Sequence, residues 1–173
     1  NNEGGARQGI AHLVAHGHRR IGYLGDTQTI TTAVERYQGY RAELAANHIA
    51  IDPALVRLEF HGIERAEAAA IEILSTAPPP TALFTGQNLF TIGAYRALRR
   101  LQLQHRVALV GFDDFLLADL LEPGITVLAQ DPAAMGRAAA ELLFSRIDGD
   151  RSPSVHRVIP VNLITRGSGE IRP

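Results

Sequence analysis

Polar side chains follow directly after several short apolar runs of this sequence. Carboxylate, amide and guanidinium groups bind hydroxyl groups well, because a carboxylate accepts hydrogen bonds from hydroxyls and a guanidinium donates in a planar fork. The pattern therefore predicts either a site for a small hydroxyl-bearing molecule or polar residues that only cap helices and end strands. The positions are Asp26, His61, Thr85–Asn88, Asp113, Asp114, Gln130 and Asp131, with Arg36 as the cation.

Motifs of the common nucleotide-binding and hydrolytic enzymes do not occur in the sequence. It contains no Gly-x-Gly-x-x-Gly, no Gly-x-x-x-x-Gly-Lys-Ser/Thr and no Gly-x-Ser-x-Gly motif, and it has neither cysteine nor lysine. Asp113-Asp114 after an apolar run would suit Mg²⁺, so a phosphoryl-transfer site remains an alternative. Apart from that alternative, we predict no catalytic residue, no metal site and no cofactor.

Three histidines, His12, His16 and His18, stand at the end of a predicted helix, and His12 and His16 are four residues apart, a spacing that metal sites use. No further carboxylate or histidine ligand stands nearby in the sequence to complete such a site. We therefore expect a solvated helix end, with cationic histidines near the negative end of the helix dipole.

Composition is that of a soluble globular domain. The 173 residues carry a net charge of −1, 46% of them are hydrophobic and 20% are charged. These values exclude a disordered chain, a coiled coil and a strongly basic nucleic-acid-binding surface. No run of eighteen apolar residues predicts a membrane span. Because the chain begins with Asn1 rather than Met, we expect it to be part of something longer.

The chain alternates short apolar runs with stretches of helical periodicity. This alternation predicts an α/β fold with a parallel, doubly wound sheet and helices on both faces. In such sheets, ligands bind beyond the carboxyl ends of the strands, where the polar residues above are placed. The predicted strands are 21–25, 55–60, 81–85, 107–112, 125–129 and 155–165, and the predicted helices are 5–16, 34–47, 63–75, 89–101 and 133–147.

Several segments, in order and over nearly the whole chain, resemble the LacI family of transcriptional regulators. No single motif carries the resemblance, which implies a periplasmic-binding-protein-like (type I) lobe that binds an effector. The segments are His12–Gly22, Glu35–Tyr40 with its Arg-x-x-Gly-Tyr pattern, Pro80–Phe84, Ile92–Ala94, Val110–Asp114 with Gly-Phe-Asp-Asp, Pro123–Val127 and Leu163–Ser168.

The resemblance implies a division of the chain into three parts. Residues 1–131 would form the second, C-terminal lobe of the ligand-binding module. Residues 132–150 would form a helix that belongs to the first lobe of a full-length protein. Residues 151–173 would return to the second lobe as the final strand and tail. The apolar stripe of the middle helix, with Met135 and Leu142, then has no sheet to cover, so we expect it to pack on a second copy or to fold back on its own sheet.

The resemblance also implies six ligand-binding residues. Arg36 matches the ligand-binding arginine of the family, and Asp113 matches the aspartate that accepts hydrogen bonds from the ligand. His61 falls where an aromatic side chain often stacks, and Gln87 where the family usually has Asn. The other two are Gln130, in a hinge strand, and Thr32, in a loop. For Arg36, the alternative is a surface salt bridge with Glu35 or another neighbour. For Gln130, the alternative is a purely structural role.

The function implied is the effector-binding portion of a LacI-type transcriptional regulator, which is not an enzyme. We expect a sugar as the effector, operator DNA bound only by an absent helix-turn-helix domain, a homodimer, a cytoplasmic location and no membrane contact. An effector that prefers one lobe arrangement would control DNA binding by population shift. The alternatives are an exported sugar-binding protein of a transporter and a Mg²⁺-dependent phosphoryl-transfer domain.

Overall fold

Strands and helices alternate along the chain in the computed structural model, which describes residues 1–173. None of the five helices is both long and apolar enough to cross a membrane. The strands are β1 (Ile21–Leu24), β2 (Val56–Arg57), β3 (Ala82–Thr85), β4 (Ala108–Phe112), β5 (Thr126–Ala129) and β6 (Asn162–Ile164), and the helices are α1 (Asn2–Ala15), α2 (Thr31–Ala46), α3 (Ile63–Leu74), α4 (Asn88–Arg100) and α5 (Pro132–Ile147).

The six strands form one sheet in the order β2-β1-β3-β4-β5-β6. All neighbours are parallel except β6, which runs antiparallel to β5. From β1 the chain winds outward to β2, whereas from β3 it winds the other way to β4. The loops that follow β1 and β3 therefore part at the carboxyl edge of the sheet, and open a crevice there.

Each face of the sheet carries its own apolar core. Along β3, Leu83 points into the cluster that includes α3 and α4, while Ala82 and Phe84 point into the cluster that includes α1 and α2. All three side chains are fully buried, as expected for a central parallel strand with helices on both faces. The predicted doubly wound α/β fold is confirmed by this arrangement.

Helices α1 and α2 pack closely because Gly39 stands at their crossing. A Cβ at this position would overlap the carbonyl oxygen of Glu3 and lie 2.7 Å from the Cβ of Ala6. The missing side chain lets the N-terminal turn of α1 approach the middle of α2. The crevice-facing side of α2 thus gains a neighbour from the start of the chain.

Helix α1 and strand β2 differ in extent from the sequence predictions, each for a local reason. Helix α1 begins at Asn2 rather than residue 5, because the Asn1 side chain caps it by accepting a hydrogen bond of 3.0 Å from Gly4 N. The strand predicted over 55–60 is confined to β2, and Glu59 adopts a φ of 65°, which an extended strand does not allow.

The long final strand predicted over 155–165 is wrong except for its last part. Only β6 joins the sheet, and residues 151–161 have no regular structure. Pro160 lacks an N–H for a strand ladder, and Val155 and Val158 are more than half exposed. This segment runs beside α5 instead, and the two line a groove of about 670 Å³ together with the starts of α1 and α2.

Helix α5 contributes no buried residue. Its large apolar side chains face solvent, with Leu143, Phe144 and Ile147 each 59–68% exposed. The expectation that this helix folds back on its own sheet is therefore wrong. The sheet and helices α1–α4 have a complete core without it.

Candidate functional site

A cavity of about 250 Å³ opens at the carboxyl edge of the sheet, in the crevice between the β1 and β3 loops. The β1 loop contributes Asp26, the β3 loop contributes Gly86 and Gln87, and Asp113 follows β4. Arg36 enters from the second turn of α2. The full lining is Asp26, Ile30, Thr32, Ala33, Arg36, Gly86, Gln87 and Asp113.

Arg36 is the central cation of this cavity, and its side chain is only 9% exposed. Its Nη1 donates to Asp113 Oδ2 at 3.0 Å and to the Gly86 carbonyl at 2.7 Å, and its Nε donates to Asn2 Oδ1 at 2.9 Å. The guanidinium carbon lies 3.9 Å from the ring centroid of Phe112, a cation–π distance. No protein group accepts from Nη2, so its two N–H donors are left for a ligand.

Asp113 holds the acceptor side of the cavity in a strained backbone conformation. Its φ is 70°, in the left-handed region, which Asp tolerates better than most residues. The backbone N–H donates to Leu128 O at 2.9 Å, and the carboxylate accepts from Gln130 Nε2 as well as from Arg36. Each carboxylate oxygen retains lone pairs, so Asp113 accepts further hydrogen bonds from a ligand.

Asp26 organises the opposite wall. Its carboxylate accepts from Gln87 Nε2 at 2.6 Å and from Thr27 N at 2.7 Å. His61, 71% exposed at its side chain, places Nδ1 at 3.2 Å from the same carboxylate. Because the side-chain amide nitrogen of Gln87 donates to Asp26, the side-chain carbonyl oxygen points away from Asp26 and is available as an acceptor. The wall thus combines acceptors with an imidazole at the rim.

Tyr23 lies beneath the floor of the cavity. A Cβ on Gly86 would lie 3.2 Å from its hydroxyl oxygen, a tight contact that the glycine avoids. The side chain is fully buried, and its hydroxyl has no hydrogen-bond partner in the protein. Burial raises the pKa of Tyr23, so the hydroxyl keeps its proton at neutral pH.

All six site residues predicted from sequence come together here. Thr32, Arg36, Gln87 and Asp113 line the cavity, whereas Gln130 and His61 reach it through their carboxylate partners. Thr32 lies in the first turn of α2 rather than in a loop.

Two neighbours of Arg36 were not predicted from the sequence. The predicted first helix leaves Asn2 outside, and the pattern assigns Phe112 only to the buried strand. No local sequence signal marks Asn2, since its contact with Arg36 depends on how closely α1 crosses α2. The alternative pairing of Arg36 with Glu35 is wrong, because Glu35 accepts instead from Asn2 Nδ2 at 2.8 Å.

The two adjacent aspartates after β4 do not form a common metal site. Asp114 accepts two hydrogen bonds of 2.7 Å from Arg166, which lower the pKa of its carboxyl, while Asp113 faces Arg36. No group of three or more His, Cys, Asp or Glu side chains in residues 1–173 is arranged to hold a metal ion. The geometry therefore gives the phosphoryl-transfer alternative no support.

The histidines at the end of α1 are not a solvated group, contrary to expectation. His18 is fully buried and contacts Thr81 Oγ1 at 2.9 Å and the Ile171 carbonyl at 2.7 Å. His12 is mostly buried and lies 2.5 Å from Glu170. These contacts tie the C-terminal tail to the end of α1. None of the residues that make them lines the cavity.

Comparison with known proteins places this architecture in a family. Residues 10–169 match the model of the periplasmic binding protein-like domain. The chain is 37% identical over 171 residues to the HTH-type transcriptional regulator CelR of Thermobifida fusca, an alignment that covers 98% of this chain and 50% of CelR. The chain thus spans half the length of this relative.

Solved structures of such regulators share the fold. The transcriptional regulator CelR–cellobiose complex matches with a TM-score of 0.90 and 36% identity, over 97% of this chain and 52% of that one. A regulatory protein of the LacI family from Chloroflexus aggregans matches with a TM-score of 0.92 and 28% identity, over 97% and 61%. The chain therefore belongs to the LacI family of transcriptional regulators and consists of part of their periplasmic-binding-protein-like, effector-binding domain.

Proposed function

We propose that this chain is the sugar-sensing part of a LacI-type regulator, and that Arg36 and Asp113 bind the sugar. The single observation that carries the proposal is the buried Arg36–Asp113 pair at the crevice of a doubly wound sheet. Arg36 offers two N–H donors that the protein leaves unused, and Asp113 offers acceptor lone pairs beside them. Adjacent hydroxyls of a sugar ring supply the complementary acceptor and donor.

Charge favours a neutral ligand over an anionic one. The cavity holds the carboxylates of Asp26 and Asp113 against the single guanidinium of Arg36, so its formal charge is negative. Phosphates and carboxylates would be repelled by the surplus carboxylate. Cellobiose, the molecule named in the complex of the CelR relative, is a neutral hydroxyl-rich sugar and is the first candidate effector.

The cavity is one wall of a larger site under this proposal. At about 250 Å³ it is smaller than the 300–1,000 Å³ of ordinary ligand pockets and opens to solvent. Residues 1–131 would form the second lobe, 132–150 a helix of the first lobe, and 151–173 the return to the second lobe. A first lobe would cover the sugar, and closure of the two lobes would control a DNA-binding domain by population shift.

The remaining features of the proposal follow from this role. A regulator of this kind binds its effector without catalysis and acts in the cytoplasm. We propose a homodimer, for which two exposed apolar surfaces are available, the stripe of α5 and the loop after Asp114, where Leu116, Leu117 and Leu120 are 87%, 54% and 72% exposed. The exported sugar-binding alternative is not favoured, since the relatives are named transcriptional regulators.

Calorimetric titration of the full-length protein with cellobiose, glucose and glucose 6-phosphate tests the proposal. We expect saturable binding of a neutral sugar that weakens about 10- to 100-fold in Arg36→Ala and in Asp113→Ala, the range for hydrogen bonds to charged groups. Arg99→Ala and Asp119→Ala, at exposed positions away from the cavity, are the matched controls and should bind as the wild type does. Undiminished binding in both site variants would overturn the assignment of the site, and preference for the phosphorylated sugar would overturn the ligand class.

A further inference from the structure

We infer that Asn2 is a positioning residue for the ligand, acting through the guanidinium of Arg36. The inference rests on the proposed function, since it concerns the same site. Asn2 stands 34 residues before Arg36 in the chain, and its Oδ1 accepts from Arg36 Nε at 2.9 Å. It does not line the small cavity itself, but it lines the groove of about 670 Å³ beside α5.

The Nε contact decides which edge of the guanidinium faces the cavity. Asp113 and Gly86 both accept from Nη1, so these two bonds fix one corner of the plane. Rotation about that corner is stopped by the third bond, from Nε to Asn2. With all three made, and with the plane resting on Phe112, Nη2 is the one corner that remains free for a ligand. A guanidinium without the Asn2 bond would be free to turn its Nη2 donors toward Asp113.

Glu35 fixes the orientation of the Asn2 amide. Asn2 Nδ2 donates to Glu35 Oε2 at 2.8 Å, which leaves Oδ1 on the side of Arg36. In the reverse amide orientation, the Nδ2 donor would face the Arg36 Nε donor. The Oδ1 acceptor would then face the Glu35 carboxylate, which is also an acceptor. The carboxylate therefore selects the amide orientation that presents an acceptor to the arginine.

Packing of α1 on α2 delivers Asn2 to this position. Asn1 caps α1, so Asn2 begins the first helical turn, and Gly39 lets that turn approach α2 closely. Glu35 and Arg36 lie one helical turn before Gly39 on α2. The amide is thus held by a rigid helix start and not by a loop.

A charge-conserving exchange tests the inference by titration of the full-length protein with cellobiose. We expect Asn2→Ala to weaken binding about 10-fold, with little change in melting temperature. In the exchange variant, which combines Asn2→Asp with Glu35→Gln, the amide and the carboxylate trade places and the net charge is kept. The residue-35 amide then donates to the residue-2 carboxylate, which still offers Arg36 an acceptor. The exchange variant should restore affinity to within about threefold of the wild type. Gln8→Ala, at an exposed position of α1 that does not contact Arg36, is the matched control.

A double-mutant cycle separates positioning from direct contact. In an Arg36→Lys background there is no Nε–H to hold, so Asn2→Ala should cause no further loss of affinity. A further loss in that background would mean that Asn2 touches the ligand itself and would overturn the inference. Unchanged affinity of Asn2→Ala in the wild-type background would also overturn it.

A readout without ligand keeps the test independent of the sugar proposal. The Nε–H resonance of Arg36 in ¹H–¹⁵N spectra should be sharp and slowly exchanging in the wild type and in the exchange variant. It should broaden in Asn2→Ala. If no sugar binds the wild type but this pattern holds, the proposed function fails while the positioning role stands. An unaltered resonance in Asn2→Ala overturns the positioning role whatever binds.

Discussion

His18 Nε2 lies 2.7 Å from the carbonyl oxygen of Ile171, a contact that joins residues 153 positions apart. The other ring nitrogen, Nδ1, lies 2.9 Å from Thr81 Oγ1, and the side chain is fully buried. A neutral imidazole satisfies both contacts when Nε2 carries the proton and the threonine hydroxyl donates to Nδ1. The C-terminal tail is thus fastened to the end of α1 by an uncharged histidine.

Stability should fall as the pH drops below about 6.5, because of His18. Burial lowers the pKa of His18 in the folded chain and outweighs the hydrogen bond to Ile171, which raises it; the nearby His16 and His12 lower it further by smaller amounts. The unfolded chain therefore binds this proton more tightly than the folded chain does. The stabilisation by neutral His18 is complete above about pH 6.5, the pKa in the unfolded chain, and it declines as the pH falls toward the lowered pKa of the folded chain. Urea denaturation between pH 5 and 8 measures this slope. His18→Gln should flatten it, whereas exposed His48→Gln should not; an unchanged slope in His18→Gln contradicts the prediction.

The tyrosines Tyr23 and Tyr40 should respond oppositely to loss of their hydroxyls. Both rings are buried, but Tyr40 donates to Ile21 O at 2.9 Å whereas the Tyr23 hydroxyl has no partner. Tyr40→Phe should lower the free energy of unfolding by about 1 kcal/mol, and Tyr23→Phe should raise it by about as much, since an unsatisfied buried hydroxyl is removed. Chemical denaturation of the two variants side by side checks this. A loss of stability in Tyr23→Phe would refute the unpaired state of that hydroxyl.

Contacts that depend on local patterns were predictable from the sequence. Arg36 and Asp113 are 77 residues apart, yet each is marked locally, Asp113 by the apolar strand before it and Arg36 by an Arg-x-x-Gly-Tyr segment that resembles the LacI family. Parallel strands bring their carboxyl ends to one edge, so the fold class alone places such residues together. The site follows from the fold to this extent.

Contacts that depend on helix crossings were not predictable in the same way. Asn2 meets Arg36 only because Gly39 allows α1 to approach α2, and a glycine within a helix does not reveal which neighbour it admits. The buried state of His18 was missed for a similar reason, because its partner Ile171 lies in the tail at the far end of the chain. Three-dimensional packing, and not periodicity, determines both contacts.

Gly39→Ala should destabilise the chain and weaken sugar binding together. The new methyl group would overlap backbone of α1, and overpacking of this kind costs about 1–3 kcal/mol. Displacement of α1 would also draw Asn2 away from Arg36. The matched control is Gly136→Ala in α5, where no atom lies within 4 Å of the added Cβ and helix propensity improves. Thermal denaturation and cellobiose titration of both variants test this; equal stability of Gly39→Ala and wild type would contradict the close crossing.

Serine substitutions on α5 should leave the core of the sheet domain intact. Leu143, Phe144 and Ile147 are exposed and no residue of α5 is buried, so their replacement removes no packed contact from the two cores. We expect the triple variant of the 173-residue chain to change the free energy of unfolding by no more than about 0.5 kcal/mol. Leu98→Ala, at a buried position of α4, should by comparison cost about 2–5 kcal/mol.

Self-association of the same triple variant reports on what the exposed stripe does. An apolar helix face of this kind promotes contacts between molecules, so sedimentation velocity of the 173-residue chain should show less concentration-dependent association in the serine variant than in the wild type. A large drop in the stability of the variant would mean instead that α5 packs on its own sheet, against the exposure found here. Unchanged association with unchanged stability would place the contact between copies elsewhere, and the loop with Leu116 and Leu120 is then the surface to vary.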